Sequence, residues 1–551
     1  MSCESRNPMP QAAAFRRPPG EVMRLDRMGC SHPTRLSFLR QLLRRIEAEG
    51  WVFDRPVWDM DARGVGRAVY RMRFDGGSLS LVAFGHADQR SDRVIATAWD
   101  ATFALFDGTP DAADLDRLQA NVPLQEAGRV SPRELSLSRA NRSVRLFDHV
   151  VARLAEGQQP DAQMLRETGY LMRTTAVYGS GKFGAADRAM IAGRPFQAEM
   201  LSVWLTRAFT VDLVEHLARA RGGAGAVPLR EDLRRGLGVG NSTGLGMAPF
   251  LVRHPVLLNN WMMAREEALA RVRAQATADE MTLAGFRAAL AAAVQNATDW
   301  QSAHPIQQAK LTDLRDGLAR LERFVTNGWD ASAPQPWDTL WHWGQTNLPL
   351  EAQEALLAAM LEPHGPLIDG LGQCMQADEE AHFGIDGTMR VAALRDILRA
   401  HYDWAIHTDY TDPAHCARFW YISEEKLEPR LGERFDEEGA SRELPLDTGR
   451  QAAALWHALR DEPDDAPLAR FLLAHPEHRL MVRRAQTTAR HPYAEIRDNL
   501  IDADMLPIDL LRCKLAFFGA TRFDPRSDRW VRISLYQGAP YPDDLNRGDA
   551  P

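Results

Sequence analysis

Residues 67-RAVYRMRFDGGSLSLVAF-84 decide how the fold begins. Two runs of alternating apolar and polar residues flank Asp75-Gly76-Gly77, the pattern of a β-hairpin closed by a tight turn. A third strand is expected at 93-RVIATAWDATFALF-106. Just upstream, 35-RLSFLRQLLRRIEAEG-50 spaces its apolar residues at helical intervals and stops on Gly50. Residues 35–110 therefore read as a small α+β module with an antiparallel sheet. Residues 1–34 read as a flexible N-terminal tail, and MSCESRNPMPQAAAFRRPPGEV lacks the apolar core of a signal peptide.

Beyond the hairpin module the texture turns helical. Residues 254–273 put Leu258, Trp261, Met262, Leu269 and Val272 on one stripe, with Arg265, Glu266 and Glu267 largely off it. Residues 388–405 repeat the pattern with Val391, Leu394, Leu398, His401 and Ala405. Further helices are expected at 138–156, 199–220, 279–298, 306–326, 350–361, 448–460, 466–474 and 477–489. The Trp- and Pro-rich segment 328-GWDASAPQPWDTLWHWGQTNLP-349 reads as a long ordered loop, and 423–447 as an irregular charged stretch. These place a helical body at 111–515. The C-terminal part, 516–551, returns to alternation in 521-TRFDPRSDRWVRISLYQG-538, compatible with a strand joining the N-terminal sheet. The fold class is mainly α with a small antiparallel β-sheet, an α+β arrangement.

Composition narrows the function classes. The chain has 551 residues, 45% hydrophobic and 25% charged, enough for a large core. A formal net charge of −8 argues against a general nucleic-acid surface. No run of about 18 apolar residues suggests a membrane span. Cys3, Cys30, Cys374, Cys416 and Cys513 are scattered, which fits a reducing cytoplasm better than a disulfide framework. Lysine appears only as Lys182, Lys310, Lys426 and Lys514; the other basic residues are arginine, a bias associated with GC-rich bacterial genomes. Homo-oligomer formation is compatible with a large helical body carrying a Trp-rich loop.

That bias makes 173-RTTAVYGSGKFGAADR-188 conspicuous. Gly179-Ser180-Gly181-Lys182-Phe183-Gly184 fits G-x-G-x-x-G. A dinucleotide site further requires a preceding strand, a following helix and an acid at the end of a second strand. The approach 170–178 looks poorly apolar for a buried parallel strand. A P-loop is excluded, because Ala176 replaces its first glycine and Phe183 its magnesium-binding hydroxyl. The local physics remains. Glycines bring backbone N–H groups close to a ligand, and Lys182 and Arg173 add positive charge. Lysine, unlike arginine, loses its proton readily on burial, which suits a base or amine nucleophile. Tyr178, Ser180 and Thr175 are near enough in sequence to exchange protons with it. A glycine-rich connection with a solvated lysine is the plainer alternative.

A second unusual stretch, 234-RRGLGVGNSTGLGMAPFLVRHP-255, sets Asn241-Ser242-Thr243 among five glycines and interleaved apolar residues. It reads as a second wall of the same pocket, or as a close helix crossing. Glu379 and His382 stand in E-x-x-H spacing without a second pair, which leaves no metal site assigned. Arg139, Asn141, Arg142 and Arg145 project at helical spacings as an anion-facing or salt-bridged stripe. In the polar group around 490–499, Arg497 is placed to clamp a second carboxylate.

The sequence thus points to a cytoplasmic enzyme for a small anionic metabolite, a lyase or isomerase. Lys182, Tyr178 and Ser180 are the catalytic candidates. Arg173, Thr174, Thr175, Gly181, Asn241, Ser242, Thr243 and Arg497 are the binding candidates, and the cofactor is unknown. The alternatives are a nucleotide- or dinucleotide-dependent enzyme binding pyrophosphate at Gly179–Gly184, and a non-catalytic helical scaffold.

Overall fold

The computed structural model describes residues 12–87, 99–123, 130–175, 198–241, 255–302, 304–375, 384–423, 429–430, 441–442, 444–500, 512–524 and 532–546. The chain divides into two compact units, each taken here over its described residues. A sheet unit is drawn from Phe38–Leu245, Phe518–Asp524 and Trp530–Pro551, and a helical unit from Met1–Ser37, Gly246–Phe517 and Pro525–Arg529. The expected boundary near 110 therefore falls inside the sheet unit.

The sheet unit holds strands β1 (Val52–Met60), β2 (Gly66–Phe74), β3 (Gly77–Gly85), β4 (Ala101–Asp107), β5 (Glu134–Arg142), β6 (Tyr170–Thr175), β7 (Gly238–Asn241), β8 (Ala520–Asp524) and β9 (Arg532–Leu535). They form one nine-stranded sheet in the order β1-β2-β3-β4-β5-β6-β7-β9-β8. The sheet is larger than expected, and β6–β7 is a parallel pair in an otherwise antiparallel ladder. The hairpin forms as the sequence indicates. Phe74 pairs with Gly77, leaving Asp75-Gly76 as a two-residue turn, with Gly76 at φ 89°. The C-terminal strands do join this sheet, beside β7.

Helices α1 (Phe38–Ala48), α2 (Ala112–Asn121), α3 (Phe147–Ala155) and α4 (Ala198–Gly222) belong to the same unit. On one sheet face α4 packs Phe209 edge-on against Phe103, 5.4 Å between rings, and Trp204 against Phe53 at 5.1 Å. On the other face Leu115 and Leu118 of α2, with Val122, cover Val69, Val82, Phe84, Ala104, Phe106 and Leu137. The helix expected from 138 begins only at Phe147, because 134–142 is β5. Its Ser136 and Ser138 pair with Leu105 and Phe103 on the face under α4, where small side chains leave room for the helix.

In the helical unit, α5 (Pro255–Arg273) is the central element, with 17 of its 19 residues buried. Arg265, Glu266 and Glu267 do not form a solvent face; they are 2%, 0% and 7% exposed. The residues that meet them come from far away in the chain. Arg17 forks onto Glu266 (Nε–Oε2 2.8 Å, Nη2–Oε1 2.7 Å) and donates Nη1 to Glu354 at 3.0 Å. Arg265 Nη2 lies 2.9 Å from the other Glu354 oxygen. The expected N-terminal tail is thus packed from Phe15 onward. Its Phe15 carbonyl accepts from Arg273, and Val22, Met23 and Met28 are fully buried.

Around α5 lie α6 (Glu280–Asp299), α7 (Pro305–Asn327), α8 (Pro336–Asn347) and α9 (Leu350–Leu361). The expected Trp-rich loop contains α8. Pro336 starts it at N1, and Trp337, Leu340, Trp341 and Gly344 bury one helical face. A second core joins α10 (Val391–Ile406), α11 (Leu444–Ala458), α12 (Leu468–Ala474) and α13 (Arg479–Arg490). The stretch expected to be irregular contributes a three-stranded sheet of Tyr421–Ser423, Pro429–Arg430 and Ser441–Arg442.

Candidate functional site

The parallel pair is where the two glycine-rich segments meet the fold. Gly169, at φ 73°, caps the helix Ala162–Thr168 and turns the chain into β6. Its carbonyl accepts from the Gly238 amide at 2.9 Å and from Ser534 Oγ at 3.0 Å, which starts β7 alongside β6. Arg207 of α4 fixes the approach to β7. Its buried guanidinium donates to the carbonyls of Leu237, Arg235, Ala539 and Pro540 and stacks on Tyr541 at 3.8 Å. The register then places Arg173 opposite Gly240 and Thr174 opposite Asn241. Gly240 has a close-packing role: an added Cβ would sit 2.6 Å from the Tyr170 ring.

Both strands run in the same direction, so residues 176–197 and 242–254 depart from neighbouring strand ends. Lys182, Tyr178, Ser180, Gly181, Ser242 and Thr243 lie outside the described residues. Arg173, Thr175 and Asn241 stand at the ends of β6 and β7. Thr174 is fully buried and, opposite Ala140, belongs to the helix-covered face, which gives it a packing role. Arg497 belongs to the helical unit. It donates Nη1 to the Ala400 carbonyl at 3.0 Å, beside the non-helical turn at Tyr402, and its Nη2 lies 3.4 Å from His401 Nδ1. Nη1 thus serves that kink.

The approach begins as a buried strand, contrary to the expectation. Tyr170, Leu171 and Met172 are each at most 2% exposed. The chain returns from β6 through α4 to parallel β7, a crossover of the kind the nucleotide alternative calls for. What it lacks is the acid of a dinucleotide site. From Gly236 to Arg265, spanning β7 and the segment after it, the sequence contains no Asp or Glu.

Beside the strand ends, the sheet face away from α4 changes character. Where α2 covers it the face is apolar; towards β5 and β6 it carries Thr102, Arg139, Asn141 and Arg173. Arg139 pairs with Thr102 on one side and Thr175 on the other, and Asn141 pairs with Arg173. The Arg139 guanidinium stacks on Trp99, 3.8 Å from the ring centroid, and burial lowers its pKa to about 10. At the end of β3, His86 meets Thr102 Oγ1 through Nε2 at 2.9 Å. Burial lowers its pKa to about 4 against the pull of Asp100, so the imidazole is neutral at pH 7. The Asp100 carboxylate accepts the Arg142 amide at 2.8 Å.

Spaced as for a helix in the sequence, Arg139 and Asn141 lie on β5, and nothing in the sequence singles out His86 or Thr102. The period-two order of Leu137, Arg139 and Asn141 was the available signal. Among the described residues, no group of three or more His, Cys, Asp or Glu is placed to hold a metal. Glu379 and His382 lie outside them. No helix among the described residues is long and apolar enough to cross a membrane.

Compared with known proteins, the chain matches no family model, no curated protein and no solved structure.

Proposed function

We propose that this protein is an enzyme acting on a small anionic metabolite, carrying phosphate or carboxylate, held where β6 and β7 end. The observation that supports this reading is the parallel register of Thr174 with Asn241, which starts both glycine-rich segments from adjacent positions. Ligands of sheets with parallel strands gather outside the carboxyl ends of those strands. In this reading the amides of Gly179, Gly181 and Gly184 approach the anion, and Arg173 supplies fixed charge beside them. Thr175, Asn241, Ser242 and Thr243 contribute hydroxyl and amide donors. Lys182 is the base or amine nucleophile, with Tyr178 or Ser180 passing the proton. Elimination or isomerisation fits that set of groups.

The nucleotide-dependent reading stands second, favoured by the β6–α4–β7 crossover, in whose connecting sequence Gly179–Gly184 falls. The absence of an acid after β7 supports phosphate contact without ribose selection.

Thermal unfolding of the full chain in inorganic phosphate or acetate tests the primary reading. Phosphate or acetate should raise the midpoint for the native protein, and Lys182→Ala should lose most of that rise. Equal protection of both proteins would remove Lys182 from the site. Protection of neither would remove the anion.

A further inference from the structure

At the β1 edge of the sheet, a second polar cluster lies where α4 packs on β1 and β2, separated from β6 by β3, β4 and β5. Strand β1 carries a bulge. Asp54 pairs with Arg71 and Val57 with Val69, so Arg55 and Pro56 together stand opposite Tyr70. The extra residue leaves Phe53, Arg55 and Trp58 all towards α4, where Phe53 meets Trp204 and Trp58 meets Phe209 at 6.2 Å. Arg55 and Tyr70 then converge on one oxygen of Asp212 from α4. Arg55 Nη1 donates to Oδ2 at 2.7 Å, and the Tyr70 hydroxyl donates to it at 2.6 Å. Bulges often re-aim side chains beside functional sites in this way. Burial raises the Asp212 pKa although the Arg55 charge opposes it, yet 23% of the side chain stays exposed, so the carboxylate is set into the surface without being closed off. Two further charges act on it, Arg234 and Asp543, and they lie 3.9 Å from each other. Arg55 is 43% exposed and rests 4.7 Å over the half-buried Trp58 ring. Trp58 is held in turn, its Nε1 on His216 Nδ1 at 3.4 Å, while His216 Nε2 donates to the Asp61 carbonyl at 2.8 Å. Among the described residues, Asp212 Oδ1 and Arg55 Nε and Nη2 make no hydrogen bond.

We infer that Arg55, Asp212 and Trp58 form a binding site for a neutral, hydroxyl-rich ligand, a sugar. The Arg55–Asp212 pair carries no net charge, so an ion gains little there. Its open acceptor and open donors stand on neighbouring side chains, which matches hydroxyl groups, since each of them both donates and accepts. Hydrogen bonds to these charged groups are the stronger kind. The Trp58 ring adds apolar surface for the C–H groups of a sugar. Tyr70 orients the carboxylate from beneath by occupying Oδ2 and leaving Oδ1 to the ligand.

Saturation-transfer NMR of the full chain with glucose, galactose, mannose and ribose, and with acetamide as the control, tests the inference. At least one sugar should receive saturation and bind in the millimolar range, while acetamide receives none. Arg55→Met and Asp212→Asn should each weaken that binding at least about tenfold, since each removes a charged partner of the ligand hydroxyls. Lys182→Ala should leave it unchanged, because this cluster is separate from the β6–β7 ends. A native protein that binds none of the four sugars overturns the inference, and so does binding that both variants keep to within about threefold. Sugar binding lost in Lys182→Ala but kept in Arg55→Met would place the ligand elsewhere and overturns it too. Acetamide binding in place of sugar overturns the hydroxyl class. Should Arg55→Met fail to fold, Asp212→Asn carries the same test, since its amide oxygen still accepts from Tyr70.

Discussion

Replacing Arg17 by methionine should destabilise the helical unit severely, and the loss should depend on pH. Arg17, Arg265, Glu266 and Glu354 form a charge-balanced group of side chains that are each at most 2% exposed. Burial alone would lower the Arg17 pKa, but the charges of Glu266 and Glu354 override it and raise it. Burial likewise pulls the Glu266 carboxyl upward, and the Arg17 charge overrides it and leaves the pKa lowered. Arg17→Met removes three hydrogen bonds and leaves two buried carboxylates facing Arg265, with Arg27 3.5 Å from Glu354. Breaking a buried pair by removing one partner costs about 3–5 kcal/mol, a large share of the roughly 5–15 kcal/mol that holds a domain together.

The sign with pH follows from linkage. In the native protein Glu266 has a lowered folded pKa, so its contribution is present above the unfolded value of about 4.3 and is lost as pH falls through the folded value. In the variant, burial dominates and the folded pKa rises above the unfolded one, so protonation relieves the cost. Urea unfolding followed by tryptophan fluorescence reads both, since Trp341 lies 5.2 Å from the Arg17 guanidinium. The expected gap is about 3–5 kcal/mol at pH 7, narrowing towards pH 5, with Glu266→Gln in the Arg17→Met background recovering much of it. A gap below about 1 kcal/mol, or one that is flat with pH, would refute the idea that Arg17 neutralises this cluster.

Two smaller perturbations bear on the site. Gly240→Ala puts a methyl group into the Tyr170 ring, so overpacking should cost about 1–3 kcal/mol and weaken phosphate binding as β6 and β7 separate; unchanged unfolding and binding would contradict the close packing. His86, lowered to about 4, binds its proton more readily unfolded than folded, so its contribution is present above the unfolded pKa of about 6.5 and is lost as pH falls from 7 towards 4. His86→Gln should flatten that stretch of the stability–pH curve by about 1–3 kcal/mol, and an unaltered curve would show that His86 is not desolvated.

Much of the helical unit is legible in the sequence. The expected helix 350–361 coincides with α9, and 254–273 differs from α5 by one residue, because apolar spacing at period 3.6 fixes those elements locally. What α5 buries on its charged side was not legible, since Arg17 reaches it across 249 residues. The hairpin 67–84 was readable from its turn and alternation. Strands β5 and β7 were not. In β5 the face under α4 is made of Ser136, Ser138 and Ala140, and the other face turns polar after Leu137, at Arg139 and Asn141, so only a short alternation marks it. In β7 the sequence Gly-Val-Gly-Asn resembles a loop, and its glycines are explained only by neighbours distant in the chain: Tyr170 over Gly240, and the Leu535 carbonyl beside Gly238. The candidate site shares this division. Its glycine-lysine motif stands in the sequence, whereas the parallel pairing of Thr174 with Asn241, and the placing of Arg139 and Arg173 on one sheet face, arise only when the ladder closes.

The most direct test of that pairing is hydrogen–deuterium exchange of the full chain with and without inorganic phosphate. A shared anion predicts that peptides covering 173–184 and 236–247 slow together, with one common dependence on phosphate concentration. Protection of one segment without the other, or of neither, would contradict a site built from both.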